Sequence, residues 1–303
     1  MTEPLAAGGL GSLAHAALRA PFDAIITPAV GMLLGGFLWL EHRHPLRPRT
    51  QSPRERLKTN AAMAGLAMLV MRAALVPAVL AMASWAERHG FGLTQMAPVP
   101  GLVRAALAFV LMDYTTYLWH RLNHVVSFLW RFHRVHHTDL DLDVSTAFRF
   151  HVGEMLLSMG ARSLQITIIG VGPMIALAWE AAELAATEFH HSNIRLPIRL
   201  ERALNQVLVT PRMHGIHHSI VERETSSNWS VLFSWWDRAH HTVRLNVPQP
   251  AITIGVPAYR EAVELGLVSL LKMPFGAQRP TWILPSGGHP ERVVSGDARR
   301  LAA

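Results

Sequence analysis

Apolar positions along the chain gather into long unbroken runs rather than alternating as in half-buried strands. Residues 24–40 (AIITPAVGMLLGGFLWL) hold no charge, residues 61–85 carry only Arg72, and residues 102–119 hold Arg104 near one end and Asp113 further in. A fourth run, 152–189, is too long for one helix and is interrupted by Gly170-Val171-Gly172-Pro173, a combination that breaks a helical pattern. A span needs about 20 apolar residues to cross a ~30 Å hydrocarbon core. The pattern therefore predicts an all-α chain, an integral membrane helical bundle of about four to five membrane helices. The polar stretches around these runs predict a cytoplasmic, histidine-rich helical cap. Residues 1–100 read as N-terminal membrane helices with a basic cytoplasmic loop, 101–250 as the chemistry-bearing domain, and 251–303 as a C-terminal cytoplasmic tail. Residues 1–20 and roughly 276–303 read as loose ends, and neither a repeat nor a cleavable signal peptide is predicted.

Composition and charge place the runs in a bilayer. Half the residues are hydrophobic and 16% are charged, where a soluble domain has about 25% charged residues. The net charge of +7 would suggest nucleic acid on a soluble chain. Beside apolar runs it marks juxtamembrane loops instead, and no nucleic-acid partner is expected. Arg43, Arg47, Arg49, Arg54, Arg56 and Lys58 face Glu41 and Glu55 in the 41–59 loop, whereas Arg88 is the one basic Lys or Arg of 86–101. The positive-inside rule puts the 41–59 loop in the cytoplasm. Counting spans from there puts every dense histidine group on the same face, as expected for a protein of the cell inner membrane. The absence of cysteine excludes disulfides, thiolate ligands and a cysteine nucleophile.

The histidines carry the chemistry. Thirteen of the eighteen lie between 120 and 241. His120 and His124 are four apart; His133, His136 and His137 form HxxHH; His190 and His191 are adjacent; His214, His217 and His218 repeat HxxHH. Positions three and four apart share a helix face, so each group can aim two or three imidazoles at one point. Chance gives roughly 0.06 HxxHH matches in such a chain, and two of them roughly 0.002 of the time. From His124 to His133 is nine residues, which on one straight helix would set the two groups on opposite faces; a break between them is expected. Eight or nine histidines are too many for one ion and suit a two-metal site, and imidazole suits zinc, copper, iron and nickel alike.

This order of motifs resembles the fatty acid hydroxylase/sterol desaturase superfamily of integral-membrane di-iron oxygenases. Flanking residues strengthen the resemblance: Arg149-Phe150-His151 with Glu154, His191-Ser192-Asn193-Ile194-Arg195-Leu196-Pro197, Thr210-Pro211-Arg212-Met213-His214, and Asn228 with Trp235-Trp236-Asp237-Arg238. It covers about 105 to 245 and departs from the family pattern at Ala239-His240-His241. The resemblance implies His120, His124, His133, His136, His137, His191, His214, His217 and His218 as metal ligands, with no catalytic residue beyond them. It implies two iron ions, O2 as co-substrate, and hydroxylation of an unactivated C–H bond of a fatty acyl, sterol-like or isoprenoid lipid. Desaturation on the same scaffold is the nearest alternative, and a non-catalytic membrane metal-binding or transport protein is the alternative from another class. Metal-bound histidine usually donates its second N–H to a carboxylate or carbonyl. Asp113, His151, Glu154, His190 and Asp237 are the candidates to support the ligands, with Asp139, Asp141, Asp143 and Glu188 as further acceptors. His240 and His241 read as outer groups or solvated ones. No GxGxxG motif opens a βαβ unit, so the electrons are expected from a separate ferredoxin- or cytochrome-like protein.

Overall fold

The computed structural model describes residues 28–292 and, among them, is all-helical with four isolated β-bridges and no strand. Residues 28–43 form α1. Pro53–Val70 (α2) runs through a π-helical segment, Met71–Leu75, into Val76–Arg88 (α3). The short α4 (Leu93–Met96) leads to α5 (Gly101–Val125) and α6 (Ser127–His137). Past a 3₁₀ turn at Val144–Phe148 come α7 (Val152–Ile169) and α8 (Pro173–His191). Four short helices follow: α9 (Ile198–Leu204), α10 (Pro211–His217), α11 (Glu222–Thr225) and α12 (Trp235–Ala239). The last α-helix among the described residues is α13 (Leu267–Lys272).

Local chemistry explains the joints. Gly170 ends α7 in the left-handed conformation (φ 80°), and Pro173 opens α8 at its first turn, where a missing N–H costs nothing. A Cβ on Gly92 (φ 102°) would lie 2.4 Å from the Gly170 Cα, so only glycine lets these two loops touch. The long helices share one core in which Leu75, Val79 and Ala83 meet Met112 of α5, Ile166 of α7 and Trp179 of α8. A second core joins Met63 of α2 and Trp130 and Val135 of α6 to Val256, Tyr259, Leu270 and Met273. The segment from 251 to 275, expected to begin a tail, is thus folded against α2 and α6. Its buried apolar side chains have nowhere else to go.

One stretch among the described residues, Pro53–Met96, is by itself long and apolar enough to cross a membrane. The four to five expected spans are not all met on that test, since Arg104 and Asp113 dilute α5 and glutamates dilute α8. The first expected span begins outside the described residues, where residues 1–20 and 293–303 of the expected loose ends also lie; within 276–292, by contrast, Trp282 stacks on Trp130 and Arg292 pairs with Glu224.

A buried ionic network fastens α2 beneath the histidine cap. Arg56 donates to Asp139 (2.7 and 3.0 Å), to Asp143 and to Thr146, while Asn60 donates to Asp139 and accepts from Arg149. Burial opposes ionisation of Asp139, yet Arg56 and Arg149 hold its carboxyl down at about 2. Asp139 and Asp143 therefore serve arginine and not histidine, and Asp141 caps Thr50 and Gln51. Breaking a buried ion pair from one side costs about 3–5 kcal/mol. Arg56→Ala is expected to lose stability on that scale in denaturant unfolding of detergent-purified protein, whereas exposed Arg54→Ala changes it by less than about 0.5 kcal/mol.

Candidate metal centre

The expected break lies at Val126, an extended residue (φ −91°, ψ 111°) between α5 and α6. It swings α6 back so that His133 and His137 face His120 and His124. The end of α8 brings His191, and α10 with its C-terminal residue brings His214, His217 and His218. All nine are drawn together, in two groups. His120, His124, His133, His137 and His217 form one, and His136, His191, His214 and His218 the other; within each, one nitrogen per ring lies within 4.8 Å of all the rest. Two imidazole nitrogens bound to one ion at about 2.1 Å stand at most about 4.2 Å apart, so each group could hold an ion with slight contraction.

The division cuts across the motifs. Each HxxHH sends one histidine to the opposite group: His136 leaves His133 and His137, and His217 leaves His214 and His218. Helical residues four apart lie on one stripe, whereas successive residues are turned by about 100°. The i and i+4 rings therefore serve one point and the ring between them serves another.

The donor atoms suit metal. In the five-histidine group Nδ1 of His120, His133 and His217 bonds outward, to the Trp229 carbonyl (2.8 Å), Glu154 Oε1 (2.7 Å) and the Ser227 carbonyl (2.8 Å). Nε2 of His124, His133, His137 and His217 is buried without any hydrogen-bond partner. Ring nitrogens fixed on one side and orphaned on the other are what a cation would complete. In the four-histidine group three Nε2 pairs stand at 2.9 to 3.1 Å, His136 to His191, His191 to His214 and His214 to His218. This group is braced less: His191 Nδ1 bonds the Thr187 carbonyl, while Nδ1 of His136, His214 and His218 has no partner. Phe150 stacks flat on His136 (4.9 Å between centroids). Burial, then the neighbouring imidazoles, push His124, His136, His137, His214 and His218 well below the ordinary histidine range. Burial likewise brings His217 down to about 3, against its hydrogen bond to Ser227. Each of these shifts favours the neutral imidazole, the form that binds metal.

The supporting candidates divide. Glu154 holds His133 directly. Asp237 binds the amides of Trp229 and Ser230 (2.9 and 2.8 Å) and so holds the carbonyl that meets His120. Asp113 accepts from the Leu232 and Phe233 amides and from Trp236 Nε1 (2.7 Å); it fixes the same loop and touches no histidine of the two groups. His190 bonds the Val231 carbonyl and packs 4.1 Å from His214, outside both groups. His151 caps α7 through the Gly153 amide and bonds the Leu271 carbonyl, away from the centre. Glu188 is buried without a hydrogen-bond partner, and His240 stacks on Tyr117. The Trp229, Ser227 and Thr187 carbonyls and the Phe150 ring escaped sequence reasoning. Carbonyls carry no side-chain signal; Phe150 stood in a quoted motif, but only the folded chain lays it on His136.

A cavity of about 270 Å³ opens beside both groups, touching His120, His133, His136, His191 and His214. Its far walls are Ala67, Met71, Leu75 and Val79 on the α2–α3 side and Leu177 and Leu184 on α8. Arg162 of α7 interrupts this apolar lining; it donates twice to Glu183 (2.9 Å each) and lies 3.2 Å from Glu180.

Residues 105–242 match the fatty acid hydroxylase family. The ornithine lipid hydroxylase of Rhizobium tropici is 30% identical over 197 residues, 64% of this chain and 56% of that protein. Human cholesterol 25-hydroxylase is 27% identical over 139 residues, 45% of this chain and 49% of its own length. Human alkylglycerol monooxygenase is 27% identical over 135 residues, 45% of this chain and 29% of its own. The chain thus spans about half the length of most of these relatives. No solved structure matches significantly.

Proposed function

From the premise that the chain carries a fatty acid hydroxylase domain over 105–242, we propose that it is a membrane-bound di-iron oxygenase that hydroxylates an unactivated C–H bond of a lipid. The observation that carries this is the apolar cavity ending on two buried histidine groups, one with four Nε2 atoms that lack partners and the other with Nε2 atoms that meet only one another. The nine histidines of the two groups would hold the irons. When bound, the pair supplies the redox chemistry that reduces O2 and puts one of its atoms into a C–H bond, with electrons from a separate ferredoxin- or cytochrome-like protein.

The chain's own residues do the rest. Glu154 keeps the proton of His133 on Nδ1, which leaves Nε2 free to bind. The walls contributed by α2, α3 and α8 exclude water from the reacting carbon. Glu183 precedes His191 by eight residues, about 12 Å along an α-helix. The carboxylates of Glu180 and Glu183 therefore favour a substrate with a polar hydrogen-bond donor remote from the carbon oxidised.

Large apolar side chains on the outer surface support the membrane bundle of four to five helices. Met32 and Trp39 on α1, Leu102 and Leu107 on α5, Leu164 and Ile168 on α7 and Met174 on α8 are all exposed. Bilayer contact is the natural account of so many. With the basic 41–59 loop inside, the histidine cap faces the cytoplasm.

The test is incubation of the purified protein and an electron donor with membrane lipid extract under ¹⁸O2. A lipid product carrying one ¹⁸O atom is expected; a product lighter by two hydrogens would mark desaturation, and no oxidised lipid with iron-loaded protein would overturn the proposal. Leu184→Trp fills the cavity away from the histidines. It is expected to cut product formation at least about tenfold, the scale of one misplaced reacting group, at unchanged iron content.

A further inference from the structure

One polar cluster interrupts the apolar cavity away from its histidine end. Arg162 of α7 and Glu180 and Glu183 of α8 line the wall there, with Gln165 on α7 and Thr116 on α5. Arg162 lies eight residues past Glu154, which holds His133, and Glu183 lies eight before His191. Measured along either helix, the cluster therefore stands about 12 Å from the histidines. Ionisable side chains within membrane helices are costly and mark substrate paths.

The cluster offers acceptors rather than free donors. Arg162 Nη2 donates to both oxygens of Glu183 (2.9 Å each) and Nη1 to Thr116 Oγ1 (3.2 Å), and the guanidinium lies 4.0 Å over the Trp179 ring. Nε is flanked by Glu180 Oε1 at 3.2 Å. An anion approaching the guanidinium would meet a carboxylate first. Glu180 itself receives no hydrogen bond among the described residues, because Arg162 Nε stands near it without pointing an N–H at it. The side chains of Glu180 and Glu183 are each 20% exposed, and both residues line the cavity. The other charged residues of the wall are Glu154, at the histidine end, and Arg72, which is itself engaged. Two carboxylates thus share one guanidinium in apolar surroundings, where like charges repel strongly and a donated hydrogen bond gains strength.

We propose that this cluster receives the polar end of the substrate and selects a lipid ending in a hydroxyl or an amine over one ending in a carboxylate or phosphate. The proposal rests on the lipid-oxygenase reading of the cavity and adds the chemical class of the lipid. The O–H or N–H of its polar end donates to Glu180 or Glu183, while its apolar length runs along the α2–α3 wall toward the histidines. An acidic end in the same place would face two carboxylates with no free donor to answer it, which is discrimination by repulsion as well as by attraction.

The experiment is equilibrium binding of three radiolabelled probes of one alkyl chain, hexadecan-1-ol, hexadecylamine and hexadecanoic acid, to the detergent-purified full chain. Binding counts as specific where Leu184→Trp, which fills the cavity, abolishes it. Wild type is expected to bind the alcohol, the amine or both at least about tenfold more tightly than the acid, the scale of one hydrogen bond to a charged group. Glu180→Gln with Glu183→Gln leaves Arg162 without a carboxylate and is expected to bring the acid level or ahead. Glu222→Gln, exposed on α11, should keep the wild-type order. Should the double variant lose its cooperative thermal transition, Glu180→Gln alone carries the test, since that carboxylate accepts no hydrogen bond, and it should cut the preference at least about threefold. Preference for the amine alone or the alcohol alone would support the site and tell which donor it takes. Equal or tighter binding of the acid by wild type, no specific binding of any probe, or a preference unchanged in the glutamine variants would overturn it. Binding does not need the irons, so the two readings fail separately: the expected preference without any ¹⁸O-labelled product would sink the oxygenase and leave this site standing.

Discussion

Replacing His136 with alanine should leave about one metal ion per chain where the wild type holds about two, and replacing His136 and His217 together should leave little that survives a mild chelator. The two histidines belong to different groups, so the pair tests whether there are two positions or one. The four-histidine group has a single braced ring, His191. Removing His136 leaves three ligands, two of them unsupported, and that position should empty first. His217 is one of three rings in the other group held from outside by an acceptor, so its loss removes a preoriented ligand. The readout is total metal by mass spectrometry on protein grown with added iron, because imidazole also takes zinc. Loss of all metal from His136→Ala alone would show one shared centre. Folded wild-type protein without stoichiometric metal, never exposed to a chelator, would overturn the di-iron proposal.

Glu154→Ala is expected to lower metal affinity or turnover by about 10–100-fold, the usual effect of removing an acceptor behind a ligating histidine. Glu154 is buried and its Oε1 stands 2.7 Å from His133 Nδ1. Without it the proton of His133 can move to Nε2, the nitrogen that must stay bare to bind. Glu154→Gln keeps an oxygen acceptor and should recover a substantial part of the loss. A purely structural role would lower the unfolding midpoint of both variants and leave their metal affinity at the wild-type value. The split between Ala and Gln in metal titration is therefore the deciding observation.

The candidate site was legible to the extent that it is local. Spacings of three and four mark helix faces, and nine such histidines stood out against chance. The nine-residue gap between His124 and His133 likewise demanded the break that Val126 provides. Carboxylates were harder, because an aspartate next to a histidine motif looks the same whether it serves the histidine or an arginine. Asp139 and Asp143 lie two and six residues past His137, yet their partner is Arg56, more than eighty residues earlier. Glu154 and Asp237, further along the chain, are the ones that meet a histidine of the two groups or hold the carbonyl it meets.

By itself, then, the sequence determined that this chain is helical, that one of its runs is long and apolar enough to cross a bilayer, and that its histidines recur at the three- and four-residue spacings of one helix face. Each of these is a property of neighbours within a turn or a run. Only the tertiary structure decided which histidines share an ion, which carbonyls hold their other nitrogens, and that Arg162 meets Glu180 and Glu183 in the cavity wall. Those outcomes depend on segments meeting across the fold, where backbone groups without any sequence signature become the nearest partners and burial makes each unpaired one costly.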